Sequence, residues 1–149
     1  MHKRAVVRVV GALTAFAGLT MLLPAAIAGV FYQEGAALRI ALSALITVAA
    51  GLALYAAGAR KAEVSLRDGF AIVTLGWISI AVFSSLPYLL TGSIGSISGA
   101  FFESMSGLTT TGATVVADVD TLPRGVILWR SQTQWMGGMG FIVLSVAVL

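Results

Sequence analysis

The chain contains no cysteine, and its one histidine, His2, stands beside the initiator methionine. That excludes a disulfide framework, a thiolate metal site and a thiol nucleophile. A lone histidine gives no His-based zinc or catalytic cluster. Charge is scarce as well: 10% of the 149 residues are charged, against about 25% in an ordinary soluble domain. A fold with so few polar groups cannot cover a water-facing surface. The carboxylates are scattered among polar links apart from Glu103, and no nucleophile–base pair or phosphate loop exists. Neither an enzyme nor a resident cofactor is expected. The net charge of +3 is dispersed without a basic run, so no nucleic-acid partner is implied.

What the chain has in quantity is apolar length: 58% of its residues are hydrophobic, with a mean hydropathy of +0.99. Residues 9–32 run for 24 positions without a charge, and residues 40–59 for 20. Each is long enough to cross a bilayer core, which takes about 20 apolar residues. The basic start, the apolar run and Ala26 to Ala28 before Gly29 also mimic a cleavable signal peptide. The run exceeds the usual h-region, which favours a retained first span. Pro24 predicts a kink there, because proline removes a backbone donor. Residues 69–102 stay uncharged for 34 positions, too long for one helix, and Pro87 with the Gly/Ser cluster at 91–99 divides them. A third span is expected at about 69–90. The class is an all-α membrane protein whose first partner is the lipid bilayer.

The segment after that cluster is different. Residues 99–108 predict a helix of about 15 Å, half a hydrocarbon core, with Ser98 as its N-cap. Thr109, Thr110, Thr111, Gly112, Ala113 and Thr114 follow, rich in small residues, and Gly112 can free the backbone to turn carbonyls inward. A helix that short must lie at the surface or dip in and return, and irregular backbone at membrane depth must be buried in protein or line a watery path. An ordinary extracellular Ser/Thr/Gly loop is the plain alternative. Pro123 then suits a helix entry, and residues 124–149 predict a last helix. That helix stops at Leu149 inside an apolar run, as a truncated product would.

Basic residues sort by side: Lys3, Arg4, Arg8, Arg60, Lys61 and Arg67 make six on one face, against Arg39, Arg124 and Arg130 on the other. The positive-inside rule makes the N-terminus and the 60–68 loop cytoplasmic. The short helix then enters from outside.

Several stretches carry a family likeness. Ser65-Leu-Arg-Asp-Gly-Phe70, Ala100-Phe-Phe-Glu-Ser104, Leu108-Thr-Thr-Thr-Gly-Ala-Thr114, and Trp129-Arg130 leading into Gln134-Trp-Met-Gly-Gly-Met-Gly140 resemble the membrane subunit of the Trk/Ktr/HKT potassium-transporter superfamily, in its Trk-H type. The resemblance implies a pore of four helix–loop–helix repeats around a potassium path, of which this sequence matches two leading helices (residues 1–63) and the first repeat (residues 64–149). It further implies potassium as transported substrate, by channel or symport. The setting is the bacterial inner membrane, with a multi-pass chain and the other repeats or further copies completing the pore. A homodimer and a cytoplasmic nucleotide-binding regulatory subunit are the implied partners.

By family position, Thr110, Thr111, Gly112 and Ala113 present filter carbonyls, the first three of them to potassium, with Thr109 and Glu103 as support. For Glu103 a structural partnership is preferred over added negative potential. The end of the short helix directs its partial negative charge at the loop. Arg130 is expected to snorkel or to form a structural pair. Gly137, Gly138 and Gly140 read first as close-packing positions and second as a gate hinge. Trp77, Trp129 and Trp135 read as interface anchors or packing residues. A non-transporting membrane protein, at most an interaction module, remains the alternative from another class.

Overall fold

The computed structural model describes residues 2–58 and 65–148, with the side chains of Leu66 and residues 141–148 left out of the description. Arg60 and Lys61, and with them most of the expected basic loop, lie outside the described residues. Every regular element described is helical. The order is α1 Lys3–Thr20, α2 Leu22–Val30, α3 Ala36–Ala57, α4 Leu66–Ser84, α5 Leu86–Thr91, α6 Ile97–Leu108 and α7 Arg124–Val148, with a 3-10 turn at Val119–Thr121 before α7. Among the described residues three stretches, Lys3–Val30, Ala36–Ala57 and Arg67–Thr91, are long and apolar enough to cross a membrane. Their outward faces carry large apolar side chains, among them Phe16, Leu38, Leu45, Leu52 and Phe70. That is the arrangement lipid favours and water does not.

The break expected at Pro24 is present, displaced toward the N-terminus, and Pro87 makes a second break inside the expected third span and not at its end. Pro24 has no N–H for the Thr20 carbonyl four residues back, and the first span breaks into α1 and α2 at Met21. The freed Thr20 carbonyl accepts from Gln132 Nε2 of α7 at 2.9 Å. Pro87 breaks the third span in the same way, at Ser85. The neighbouring Ser84 carbonyl accepts from the Trp129 indole N–H at 3.0 Å. The last helix therefore meets the earlier spans at the points where their own ladders are interrupted.

Some boundaries differ from expectation. The third span begins with α4 at Leu66 and not at Gly69, because Ser65 and Asp68 form a reciprocal capping box that ties down two free N–H groups. The short helix begins at Ile97, with Ser96 and not Ser98 as its cap; the Ser96 hydroxyl accepts from Gly99 N at 3.2 Å. The first and second spans start at Lys3 and Ala36, earlier than their uncharged runs, because charged or polar residues at a helix end reach water.

Tight α1–α3 pairing depends on missing side chains: a Cβ on Gly11 would run into the backbone of Tyr55, and one on Gly51 into that of Ala15. Helices in lipid gain little from apolar burial and associate instead through such close contact. The main core lies where α2, α3, α5, α6 and α7 meet, built on Met21, Ile40, Tyr88, Ala100, Val126 and Trp129. It seats the start of α7 and the flank of α6, and so positions the loop between them.

Candidate functional site

α6 has 12 residues, about 18 Å of helix. It lies against α7 and α4 and ends in the threonine loop. Contact with α7 is closest at two points lacking side chains. Gly137 lies against the Leu108 carbonyl so closely that a Cβ would overlap it, and Gly107 faces Thr133 in the same manner. Gly138 and Gly140 have ordinary clearance, with their nearest atoms 3.8 Å off in Thr110 and 3.7 Å off in Trp77.

The loop leaves the helix by a tight route. Thr110 N donates to Gly107 O at 3.0 Å and Thr111 N to Ser106 O at 3.0 Å. Thr110 then takes φ +57° and Gly112 φ +74°, both in the left-handed region. For Gly112 this is free of steric cost, and a Cβ there would meet nothing within 4 Å. For the branched Thr110 it is strained. The Thr109 and Thr111 hydroxyls lie 2.8 Å apart, and the Ser106 hydroxyl donates to the Ala113 carbonyl at 2.6 Å. Ser106 thus grips the loop at both ends. Among the described residues, none donates to the carbonyls of Thr110 or Thr111, and residues 109–115 are exposed on this chain.

Behind the loop sits a buried charge pair. Glu103 is 1% exposed, and its Oε1 accepts from Arg130 Nε at 2.6 Å. Its other oxygen accepts from Thr114 Oγ1 at 2.9 Å and Val115 N at 3.1 Å. Every bond a buried carboxylate needs is supplied. Arg130 also reaches the Gly112 carbonyl at 3.4 Å. The two side chains therefore link α6, α7 and both halves of the loop. Among the described residues no group of three His, Asp or Glu stands together.

Of the residues singled out in the sequence, Thr109 to Ala113, Glu103 and Arg130 come together at one end of α6. Among the described residues the carbonyls of Gly112 and Ala113 have partners, unlike those of Thr110 and Thr111. Trp129 is fully buried, Trp135 is 63% exposed, and Trp77 lines an apolar cavity of about 440 Å³ between α1, α4 and α7. Sequence reading missed Ser106, whose hydroxyl is one of several in a Ser-rich helix. It also missed Glu34, which meets the start of α7 from 90 residues away.

An all-helical chain with outward apolar faces and long spans defines a helical membrane protein. Residues 36–149 match the TrkH family, described as a cation transport protein, and the chain belongs to that family. It is 42% identical over 151 residues to the Trk system potassium uptake protein TrkH of Salmonella typhimurium. It is 40% identical over 151 residues to the protein of that name from Escherichia coli K12. Among solved structures it superposes with TM-score 0.92 and 41% identity on the potassium transporter TrkH from Vibrio parahaemolyticus, covering 100% of this chain and 32% of that one. The chain spans 31% of the length of the Salmonella and Escherichia relatives.

Proposed function

We propose that this chain supplies the first filter loop and the leading helices of a potassium uptake pore in the plasma membrane. The observation that carries the reading is the pair of left-handed residues, Thr110 and Gly112, on either side of Thr111. Alternating backbone handedness turns neighbouring carbonyls toward one side, where they can replace the water around a cation. The carbonyls of Thr110 and Thr111 have no competing donor among the described residues, and both potassium and sodium would meet oxygen alone there. Among the described residues the Gly112 carbonyl meets one donor, the long Arg130 contact. Ala113, with its carbonyl bonded to Ser106, is assigned to the boundary of the loop. A ring of such carbonyls needs further loops, from the remaining repeats or from other copies. The names of the relatives support potassium as the ion.

The basic residues at the starts of α1 and α4 support a cytoplasmic position for that end by the positive-inside rule. The loop then faces the outside. A homodimer and a cytoplasmic nucleotide-binding regulator complete the assembly on the family's pattern.

The test is Gly112→Ser in the native protein that carries this chain, expressed in a strain lacking potassium uptake. Strain at φ +74° should disorder the loop and lower potassium-over-sodium selectivity by about tenfold. Unchanged growth on low potassium and unchanged selectivity would remove the filter reading. A second reading, a membrane module without transport, is favoured by the fact that one loop alone closes no ring. Potassium flux from the purified 149-residue chain in liposomes would dismiss it.

A further inference from the structure

We infer that Glu34 is a positioning residue for ion passage, holding the start of α7 in a socket built from the link between α2 and α3. The inference rests on the filter reading, because α7 carries Arg130, the cation that braces the loop. Three independent features meet at this spot. Gln33 takes φ +51°, a setting that a non-glycine residue adopts only when its surroundings hold it there. Directly after it, Glu34 N donates to Ala28 O at 3.1 Å, folding the turn back over the end of α2. The Glu34 carboxylate then spans two backbone donors at the start of α7: Arg124 N to Oε1 at 2.9 Å and Gly125 N to Oε2 at 3.3 Å.

Chemistry explains why the partner comes from so far away. The first N–H groups of a helix have no internal acceptor and carry partial positive charge. Pro123, the residue before α7, has no oxygen on its side chain with which to cap it. The carboxylate of Glu34 supplies both acceptor and negative charge. Packing fixes the same point. A Cβ on Gly125 would come within 2.7 Å of Ala28 Cβ and 2.8 Å of Ile40 Cδ1, so the helix sits against α2 and α3 with no room to slide. A mere surface link would leave Glu34 to solvent and Gln33 relaxed.

From Gly125 to Arg130 is about 7.5 Å along the helix. A shift at the socket is therefore carried by a rigid element to the Glu103–Arg130 pair and on to the loop. The leading helices thereby act on the ion path through this contact.

The test uses the native protein that carries this chain, freed of other cysteines, with spin labels at Leu38→Cys on α3 and Ser131→Cys on α7. Both positions are exposed. Glu34→Ala should broaden the label-to-label distance distribution and shift the KM for rubidium uptake by about three- to tenfold, the range for loss of a helix cap. Glu34→Asp should recover part of both. Gly125→Ala should act in the same direction and serves if Glu34→Ala fails to accumulate. An unchanged distance distribution, or a broadened one with unchanged KM, overturns the inference. Gly112→Ser separates the two readings. If it leaves selectivity unaltered, the filter falls whatever Glu34 does. If it alters selectivity while Glu34→Ala moves neither readout, the socket alone falls.

Discussion

Glu103 and Arg130 differ in how much water each can reach, 1% against 17% exposed, and that difference gives their loss different consequences. Arg130→Gln strands a carboxylate in the interior with only the Thr114 hydroxyl and the Val115 N–H left to it. Breaking a buried pair costs about 3–5 kcal/mol; the partial exposure of Arg130 lowers the expectation to about 2–3 kcal/mol. Glu103→Gln leaves a cation that can bend toward solvent and should cost less. Thermal unfolding of the detergent-solubilised protein should therefore order the variants as wild type, Glu103→Gln, Arg130→Gln. The double Gln variant should be milder than Arg130→Gln alone. The reverse order for the single variants would mean that the bonds to Thr114 and Val115 outweigh the charge. The sequence pointed to both residues, since an ionisable group in an apolar setting demands a partner. It did not identify the partner, because the two residues stand 27 positions apart in the chain.

Among the helices, the contact of α6 with α7 decides where the loop sits. If Gly137 serves packing, Gly137→Ala must push Leu108 away and displace the end of α6, lowering stability by about 1–3 kcal/mol. Gly138→Ala, with its nearest neighbour 3.8 Å away, should be tolerated and even slightly stabilising. A hinge would make the two variants alike in transport, so rubidium uptake by both, set beside their melting temperatures, separates the roles. Much of this layer was legible. Uncharged runs gave the spans, Pro24 and Pro87 gave the interruptions, and the Gly/Ser cluster announced the short helix. What stayed hidden was end detail. Ser65 and Asp68 cap a helix inside what reads as a polar loop, and Ser96 and Ser98 are equivalent as letters. The alternation of φ at Thr110 and Gly112 was half visible, since only the glycine advertises it.

Across the whole chain, the leading helices are fastened to the later helices at both ends. At one end Arg39 donates to the Thr91 carbonyl at 3.1 Å, beside the Glu34 socket. At the other, His2 N donates to Asp68 Oδ1 at 2.9 Å, and His2 Nδ1 lies 3.1 Å from Oδ2. Asp68 also serves the α4 cap, so Asp68→Asn should weaken the His2 attachment and that cap together. Limited proteolysis should then release the first few residues faster while the α6–α7 contact survives, a difference visible in the digestion pattern. Equal protection of the two proteins would show that the N-terminus is held by α1–α3 packing alone.

The bond from Gln132 to Thr20 has a consequence for inheritance. Give position 24 a residue with an N–H, and the Thr20 oxygen finds a mate on its own helix, leaving the glutamine amide with nothing to serve. Take away Gln132, and the oxygen is left bare in an apolar interface. Neither letter can drift by itself without loss. Two helices that look separately spelled therefore share one piece of information, and a substitution at either position calls for a matching one at the other.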